Sequence, residues 1–551
     1  MTRAELLKTL QETYKTPISQ LKQWREQIYS IDREALEQFV SLITQAKSFH
    51  IVGDYDVDGI CSTYVTYKSL KQIFPDKPVS VRFPKRLSEG YGINENVKNE
   101  ILAECDTDTL IICVDNGIAT SKVLNPLHDS GYKLCILDHH NRKIDADIPN
   151  ADFIIDPHAE AISNPLTGDY WCGAGVCYQV FKDLIPENLS HELFFYTALA
   201  TVADCMDMTE GNWAYVKKAY ENMRSGDLPD SMKQLLTMLK QPYQQATEDT
   251  FGFYLGPCLN APGRLLDDGA KKSFEYLLDP TKEKAEELVF LNEKRKTLKE
   301  DAVNRAKIEI VDKGLQHRCP IWLYLPNLEE GIVGLVAGQI EQDFNIPTIV
   351  VTDAKSGHLK GSGRSIDGFN LFDYLNNLPQ EYFISWGGHE GAAGLTVTKE
   401  GFEKFQREAL KDFSAERDKF EITIDPFEIP TAVSVINELR PFGQARKQPD
   451  FKIELDLNDS SLIVSMVGQD KNHLSVKDMF NRYKIMSFYH TDYNLDNKDK
   501  FFAVGKVSDS YFMGKYTAQL TAQDCYCKSL ERDKDKDAEE DKNLSDFELK
   551  R

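Results

Sequence analysis

The chain has 551 residues and a formal net charge of −22, with 65 Lys and Arg against 87 Asp and Glu. At roughly 100–200 residues per domain, this length calls for about three or four domains, and 41% hydrophobic with 11% aromatic residues excludes a wholly disordered chain. The charge excludes a uniformly basic nucleic-acid coat, because such acidity repels a phosphate backbone unless basic groups are focused or metal ions carry the contact.

The start, MTRAELLKTL, lacks the apolar core of a signal peptide, and no stretch approaches the ~20 apolar residues that span a bilayer. The eleven Cys lack the compact four-ligand spacing of a zinc site, so reduced thiols in a cytoplasmic protein are expected, with no membrane partner.

Residues 1–45 read as helical, with Leu6, Leu7 and Leu10 at helical spacing and Leu36, Phe39 and Val40 likewise. From about residue 48, short apolar runs end in polar turns: FHIVGDYDVDG, TLIICVDNG, KLCILDHHN and DFIIDPH. Helical stretches lie between several of them, which predicts an α/β lobe with a doubly wound parallel sheet. A mainly helical region follows, then a charged segment with Leu288, Leu291, Leu298 and Val303 as its apolar stripe, read as a long connecting helix. A second, smaller α/β lobe begins near 319. Beyond 420 the pattern becomes antiparallel in type, with five short strands suggesting a small barrel or sandwich. The last 21 residues carry nine acids and six bases and read as a solvated, disordered tail, so nearly all the charge excess belongs to the rest of the chain. The expected divisions are 1–45, 46–280, 281–312, 313–415, 416–530 and 531–551.

Four polar clusters carry chemistry. Asp54, Asp56 and Asp58 alternate in GDYDVDG. Three carboxylates on one turn raise each other's pKa, and a divalent cation relieves that repulsion. An Asp- and Gly-rich surface loop is the plain alternative, whereas an EF-hand lacks its closing Glu, since Val65 stands there. Asp115 follows the second run, Asp138-His139-His140 the third, and Asp204 lies in ATVADCMD. Any one could be a helix cap or a satisfied core group. Together they favour a two-metal site, because mixed carboxylate and imidazole ligands suit Mn²⁺, with Mg²⁺ also possible, and paired ions commonly catalyse displacement at phosphorus.

GDYDVDG, VDNG, DHHN and TVAD, in this order, resemble the four motifs of the DHH phosphoesterase superfamily. LNAPGR, EGIVGLVAGQI, GSGRSIDGF and GGHEGAAG narrow the resemblance to the RecJ-like single-strand-specific exonucleases, with Pro262 and Gly391 as departures from the usual pattern. The resemblance covers roughly residues 45–415 and continues more weakly into the β-rich region, which would correspond to an OB fold.

The resemblance implies that Asp54, Asp56, Asp58, Asp115, His139 and Asp204 hold two Mn²⁺ (or Mg²⁺) ions, with Asp115 as the bridge. It implies that His140 faces the scissile phosphate, with Asp115 and Asp138 counted beside it as catalytic. In the second lobe, Ser362 and Arg364 of GSGRS, read as a flexible turn, would hold a 5′-terminal phosphate with Arg86. Arg264, after a Pro-Gly turn, and His389 would add contacts to the DNA strand. A surface salt bridge is the alternative for Arg86 or Arg364, and a packing role for His389.

The function so implied is metal-dependent 5′→3′ exonucleolytic hydrolysis of single-stranded DNA to 5′-mononucleotides, in recombination and repair. A single-strand-binding protein and a RecQ-type helicase would be partners. The rival readings are a DHH phosphodiesterase acting on short RNA or dinucleotides, and a non-catalytic replication scaffold of the same fold. The filled ligand positions speak against the second.

Overall fold

The computed structural model describes residues 1–15, 31–140, 147–158, 164–166, 168, 171–354, 356–411, 421–468, 473–488, 500–512 and 515–528. They divide between two compact units, one within 25–417 and one combining 1–24 with 418–551.

In the first unit, β1 (Ser48–Val52), β2 (Val79–Arg82), β3 (Thr109–Val114), β4 (Lys133–Leu137) and β5 (Phe153–Ile155) form a sheet in the order β2-β1-β3-β4-β5. Every pairing is parallel. β3 is buried at all its positions, as an apolar strand covered on both faces must be. The order reverses between β1 and β3, and ligands of such sheets bind beyond the strand ends at that switch point. Asp54 and Asp115 follow those two strands.

Asp56 starts the first crossover helix, Val57–Ile73, its carboxylate capping the Asp58 and Gly59 amides. Helix Gly173–Phe181 is buried at every position, and helix Glu187–Ala203 buries the run from Leu193 to Thr201. The connecting helix runs Lys282–Asp312 and buries Leu288, Leu291, Val303, Ala306 and Ile310.

The second lobe is a mixed sheet in the order Phe383–Gly388, Ala392–Val397, Leu359–Arg364, Thr348–Asp353, Ile321–Tyr324. Only the last pair is parallel, joined by helix Val333–Phe344. GSGRS, read as a flexible turn, is therefore largely strand. Ser362 pairs with Gly394 on one side and Val350 on the other. Its glycines serve close packing rather than flexibility.

The other unit takes in the first helix, Arg3–Tyr14. Leu6, Leu7 and Leu10 are buried in one core with Ile429, Val433 and Ile436. Residues 1–45, expected as one helical segment, are thus split. The stripe of the first helix is covered by C-terminal residues, whereas Phe39 of helix Arg33–Gln45 packs against Phe153 and Phe181. The C-terminal sheet has seven strands among the described residues, from Glu421–Thr423 at one edge to Leu462–Val467 at the other. No described pairing joins these edges, so the expected barrel is not closed among the described residues. Two pairings are parallel, and strand His473–Asp478 was not among the five expected. The tail expected over 531–551 lies outside the described residues.

No helix among the described residues is long and apolar enough to cross a membrane.

Candidate active site

The acidic and imidazole residues expected from sequence converge beyond the ends of β1, β3 and β4. Asp115 follows β3 directly and holds the left-handed backbone conformation, φ 59°, which is costly for a non-glycine residue and concentrates at functional sites. His139 and His140 follow β4, and Asp204 caps the C-terminus of helix Glu187–Ala203. Ligand atoms of Asp115, His139 and His140 lie within 4.8 Å of one another, and so do those of Asp58, His139 and Asp204, and those of Asp54, Asp56 and Asp115. Asp115 and His139 are each shared by two of these groups. From His139 Nε2 the distances are 3.2 Å to Asp115, 3.5 Å to Asp58 and 3.6 Å to Asp204.

The electrostatics call for a cation. Burial first and Asp56 second push Asp54 up to about 8. Burial and Asp58 raise Asp56, and lift Asp115 and Asp204 well above the ordinary carboxylate value. Burial and neighbouring His140 lower His139 to about 4, leaving a neutral imidazole able to donate a lone pair. Asp115 Oδ1 and His139 Nε2 are buried without a hydrogen-bond partner among the described residues. Orphaned acceptors facing one another are costly unless a cation completes them. The donor set therefore fits divalent ions that accept both oxygen and imidazole ligands.

Asp58 is held from outside the cluster. The amides of Gly173 and Ala174, at a helix N-terminus, each donate to its carboxylate at 2.7 Å. A β-carbon at Gly173 would come within 2.7 Å of Asp115, so only glycine allows this approach.

Asp138 stands in none of the three ligand groups. It accepts from the amides of Ile118 (3.0 Å), His139 (2.8 Å) and His140 (3.3 Å) and from the His140 ring at 2.8 Å. Despite burial, His140 and these contacts hold its pKa low. Against the opposing effect of burial, Asp138 lifts His140 to about 10, so that the ring is a cation at neutral pH. Asp138, expected beside His140 as catalytic, thus has the geometry of a group that orients and charges His140.

Three residues in this neighbourhood were not among those expected. Tyr91 Oη lies 2.9 Å from His140 Nε2 and donates to the Asp115 carbonyl at 3.0 Å. His158 donates from Nδ1 to the His139 carbonyl, and its amide donates to Asp156 at 2.8 Å. The sequence signal for the latter pair was the DPH that follows β5, in the same place as the other motifs follow their strands.

Arg364 of the second lobe stands near Arg86 of the first, and Arg86 and Arg264 both act on Asp56. Arg364 Nη1 donates to Ser362 Oγ at 2.8 Å. A β-carbon at Gly334, in the helix Val333–Phe344, would meet Arg364 Nη2 at 3.0 Å and Ser362 Oγ at 3.2 Å. The start of that helix therefore abuts both side chains, and helix N-termini favour anions. Arg264 donates to the Gly331 carbonyl at 3.2 Å. Burial, then Arg86 and Arg295, push Arg264 down to about 9. Burial, then Arg86, lower Arg364 as well. Arg86 lies over the Tyr55 ring at 4.5 Å. Arginines close enough to lower one another's pKa are arranged for an anionic ligand.

One detail differs from expectation. The Pro-Gly pair before Arg264 lies inside helix Gly256–Leu265, which continues past Pro262. His389 sits in the hairpin after strand Phe383–Gly388, accepts from the Gly391 amide at 3.2 Å, and has no hydrogen bond to the arginine group among the described residues.

Residues 48–206 match the DHH family, N-terminal domain, and residues 321–416 match the DHHA1 domain. The single-stranded-DNA-specific exonuclease RecJ of Salmonella typhimurium is 31% identical over 413 residues, 69% of each chain. The RecJ of Haemophilus influenzae is 29% identical over 480 residues, 80% of each chain. Among solved structures, RecJ from Thermus thermophilus in complex with Mn²⁺ superposes with a TM-score of 0.72 over 96% of this chain and 78% of that one, at 19% identity. The Mg²⁺ complex of that protein gives 0.66, over 96% and 77%, at 18% identity. At these identities the structural likeness speaks for the fold.

Proposed function

The chain belongs to the family of the RecJ single-stranded-DNA-specific exonucleases, and we propose that it hydrolyses single-stranded DNA from the 5′ end to 5′-mononucleotides with the help of two Mn²⁺ or Mg²⁺ ions. The observation that carries this reading is the pairing of an orphaned carboxylate–imidazole cluster with an arginine group in the same compact unit.

Asp54, Asp56, Asp58, Asp115, His139 and Asp204 are the residues that would hold the metal. Bound divalent ions supply positive charge to the phosphoryl oxygens and make water acidic enough to ionise near neutral pH. Asp138 keeps His140 protonated and oriented. His140 then offers a fixed cation to the charge that develops on the phosphate. Arg86, Ser362 and Arg364 capture the terminal phosphate, with Arg264 beside them. Arginine forks suit phosphate oxygens bidentately. Capture of an end at one position relative to the metal residues gives single-nucleotide steps by geometry.

The reading includes action in recombination and repair, in the cytoplasm, with a single-strand-binding protein and a RecQ-type helicase as partners. Ten described cysteines without a disulfide accord with a reducing compartment. Incubation with Mn²⁺ and labelled single strands, duplexes and RNA of matched length tests the substrate. Release of mononucleotides from single-stranded DNA alone is expected, and preference for RNA or dinucleotides would overturn the reading.

A further inference from the structure

Arg86 sits in a turn that is shaped by carboxylates outside the site described above. The amides of Ser88, Glu89 and Gly90 converge on the Lys85 carbonyl at 3.2, 2.7 and 3.2 Å. The Glu89 carboxylate folds back across this turn. Its Oε2 accepts from the Lys85 amide at 2.8 Å, and both its oxygens accept from Arg82 Nη2 at 2.9 Å. Arg82 closes β2 and is itself held by Glu100, at 2.6 Å from Nε and 3.0 Å from Nη2. The pair is secluded, with the Glu89 side chain 7% and Arg82 16% exposed. On the other side of the turn, Asp267 accepts from the Leu87 amide at 3.1 Å.

The contrast between neighbouring arginines is the informative part. Arg82 has two carboxylates. Arg86, four residues on, has no carboxylate in ion-pair contact among the described residues; it lies over the Tyr55 ring, and Asp56 is the carboxylate its charge acts on. A network of this kind fixes a backbone while leaving one guanidinium without an ion-pair contact of its own. Preorganisation of that sort spares the ordering cost when a ligand binds.

We propose that Glu89 is a positioning residue for 5′-end recognition. Through Arg82 and the Lys85 amide it holds the Arg86 turn so that the guanidinium meets the terminal phosphate unpaired, and Asp267 is the second tether of the same turn. This inference rests on the terminal-phosphate role given to Arg86 above.

The test is the ratio of dissociation constants for 5′-hydroxyl and 5′-phosphoryl single strands, read by fluorescence anisotropy on the full chain in EDTA. Glu89→Gln lowers that ratio by about tenfold, the effect of losing one charge-assisted hydrogen bond. In the Arg86→Ala background the same change lowers it no further. Asp267→Ala leaves the Arg82 ion pairs intact, moves the ratio in the same direction, and serves as the measurement if Glu89→Gln unfolds. An unchanged ratio in both variants, while Arg86→Ala lowers it, overturns the inference alone. So does an equal loss from Glu89→Gln with and without Arg86, since Glu89 would then act elsewhere. If Arg86→Ala leaves the ratio unchanged, the terminal-phosphate reading falls, and this inference with it.

Discussion

His139 Nε2 stands 3.2 Å from Asp115 Oδ1, and neither atom has a hydrogen-bond partner among the described residues. With the imidazole lowered to about 4 and the carboxyl raised, the two atoms do not form an ordinary ion pair at neutral pH. A divalent ion held by these residues would give both atoms a partner and would offset the repulsion within the carboxylate cluster. Mn²⁺ should therefore raise the melting temperature of the metal-free protein in a saturable way. At a free concentration a hundredfold above the dissociation constant, linkage gives about 2.7 kcal/mol. Scanning fluorimetry across a Mn²⁺ titration measures it, and a flat response would contradict the site.

Asp115→Ala removes the carboxylate that two of the three ligand groups share. Cleavage should fall below detection, and the Mn²⁺-dependent rise in melting temperature should shrink or vanish. Binding of single strands in EDTA should persist, because Asp115 lies with the metal residues and not with the arginines. Wild-type cleavage by the variant would remove Asp115 from the site.

Gly173→Ala tests the packing beneath the cluster. The added methyl would meet Asp115 at 2.7 Å and displace either that carboxylate or the amides that hold Asp58. Weaker Mn²⁺ affinity by calorimetry is expected with the fold retained. Unchanged affinity would show that the helix start can move without cost to the metal residues.

Gly334→Ala and Arg364→Ala probe the anion site. The first crowds Arg364 and Ser362, and the second removes the guanidinium. Both should reduce the advantage of 5′-phosphorylated over 5′-hydroxyl strands, the second more strongly. Equal loss on both kinds of end would point to a role in general strand binding.

Leu10→Ala tests the assignment of the first helix. Leu10 is fully buried in the core that it shares with Ile429, Val433 and Ile436. Burial of this kind makes the substitution cost about 2–5 kcal/mol. Hydrogen exchange should report faster opening in helix Ile429–Leu439 and the C-terminal sheet, with β1–β5 unchanged. Equal acceleration in both regions would contradict the division into two units.

These residues also mark how far sequence alone reached. Asp54, Asp115 and His139 were legible because each ends a short apolar run, and a parallel sheet gathers such strand ends at one edge. Arg86 and Arg364 were legible through motif resemblance, since an isolated Arg carries no signal of its ligand. Gly173, Tyr91 and Glu89 were not legible, because their roles arise from segments far apart in sequence meeting in the fold. GSGRS was misread as a turn because glycine signals both flexibility and close packing, and only the flanking strands decide between them. The placement of residues 3–14 depends on which apolar stripe covers another, and helical periodicity does not specify the partner. His473–Asp478 was missed because four of the six residues of HLSVKD are polar, although Leu474, Ser475 and Val476 are buried.

The most direct measurement of the central claim compares single strands labelled at the 5′ end with the same strands labelled at the 3′ end, in Mn²⁺, from the earliest times. The account predicts labelled mononucleotide at once from the 5′ label, a ladder of shortening products from the 3′ label, and neither in EDTA. Mononucleotide appearing first from the 3′ label, or cleavage that survives chelation, would contradict it.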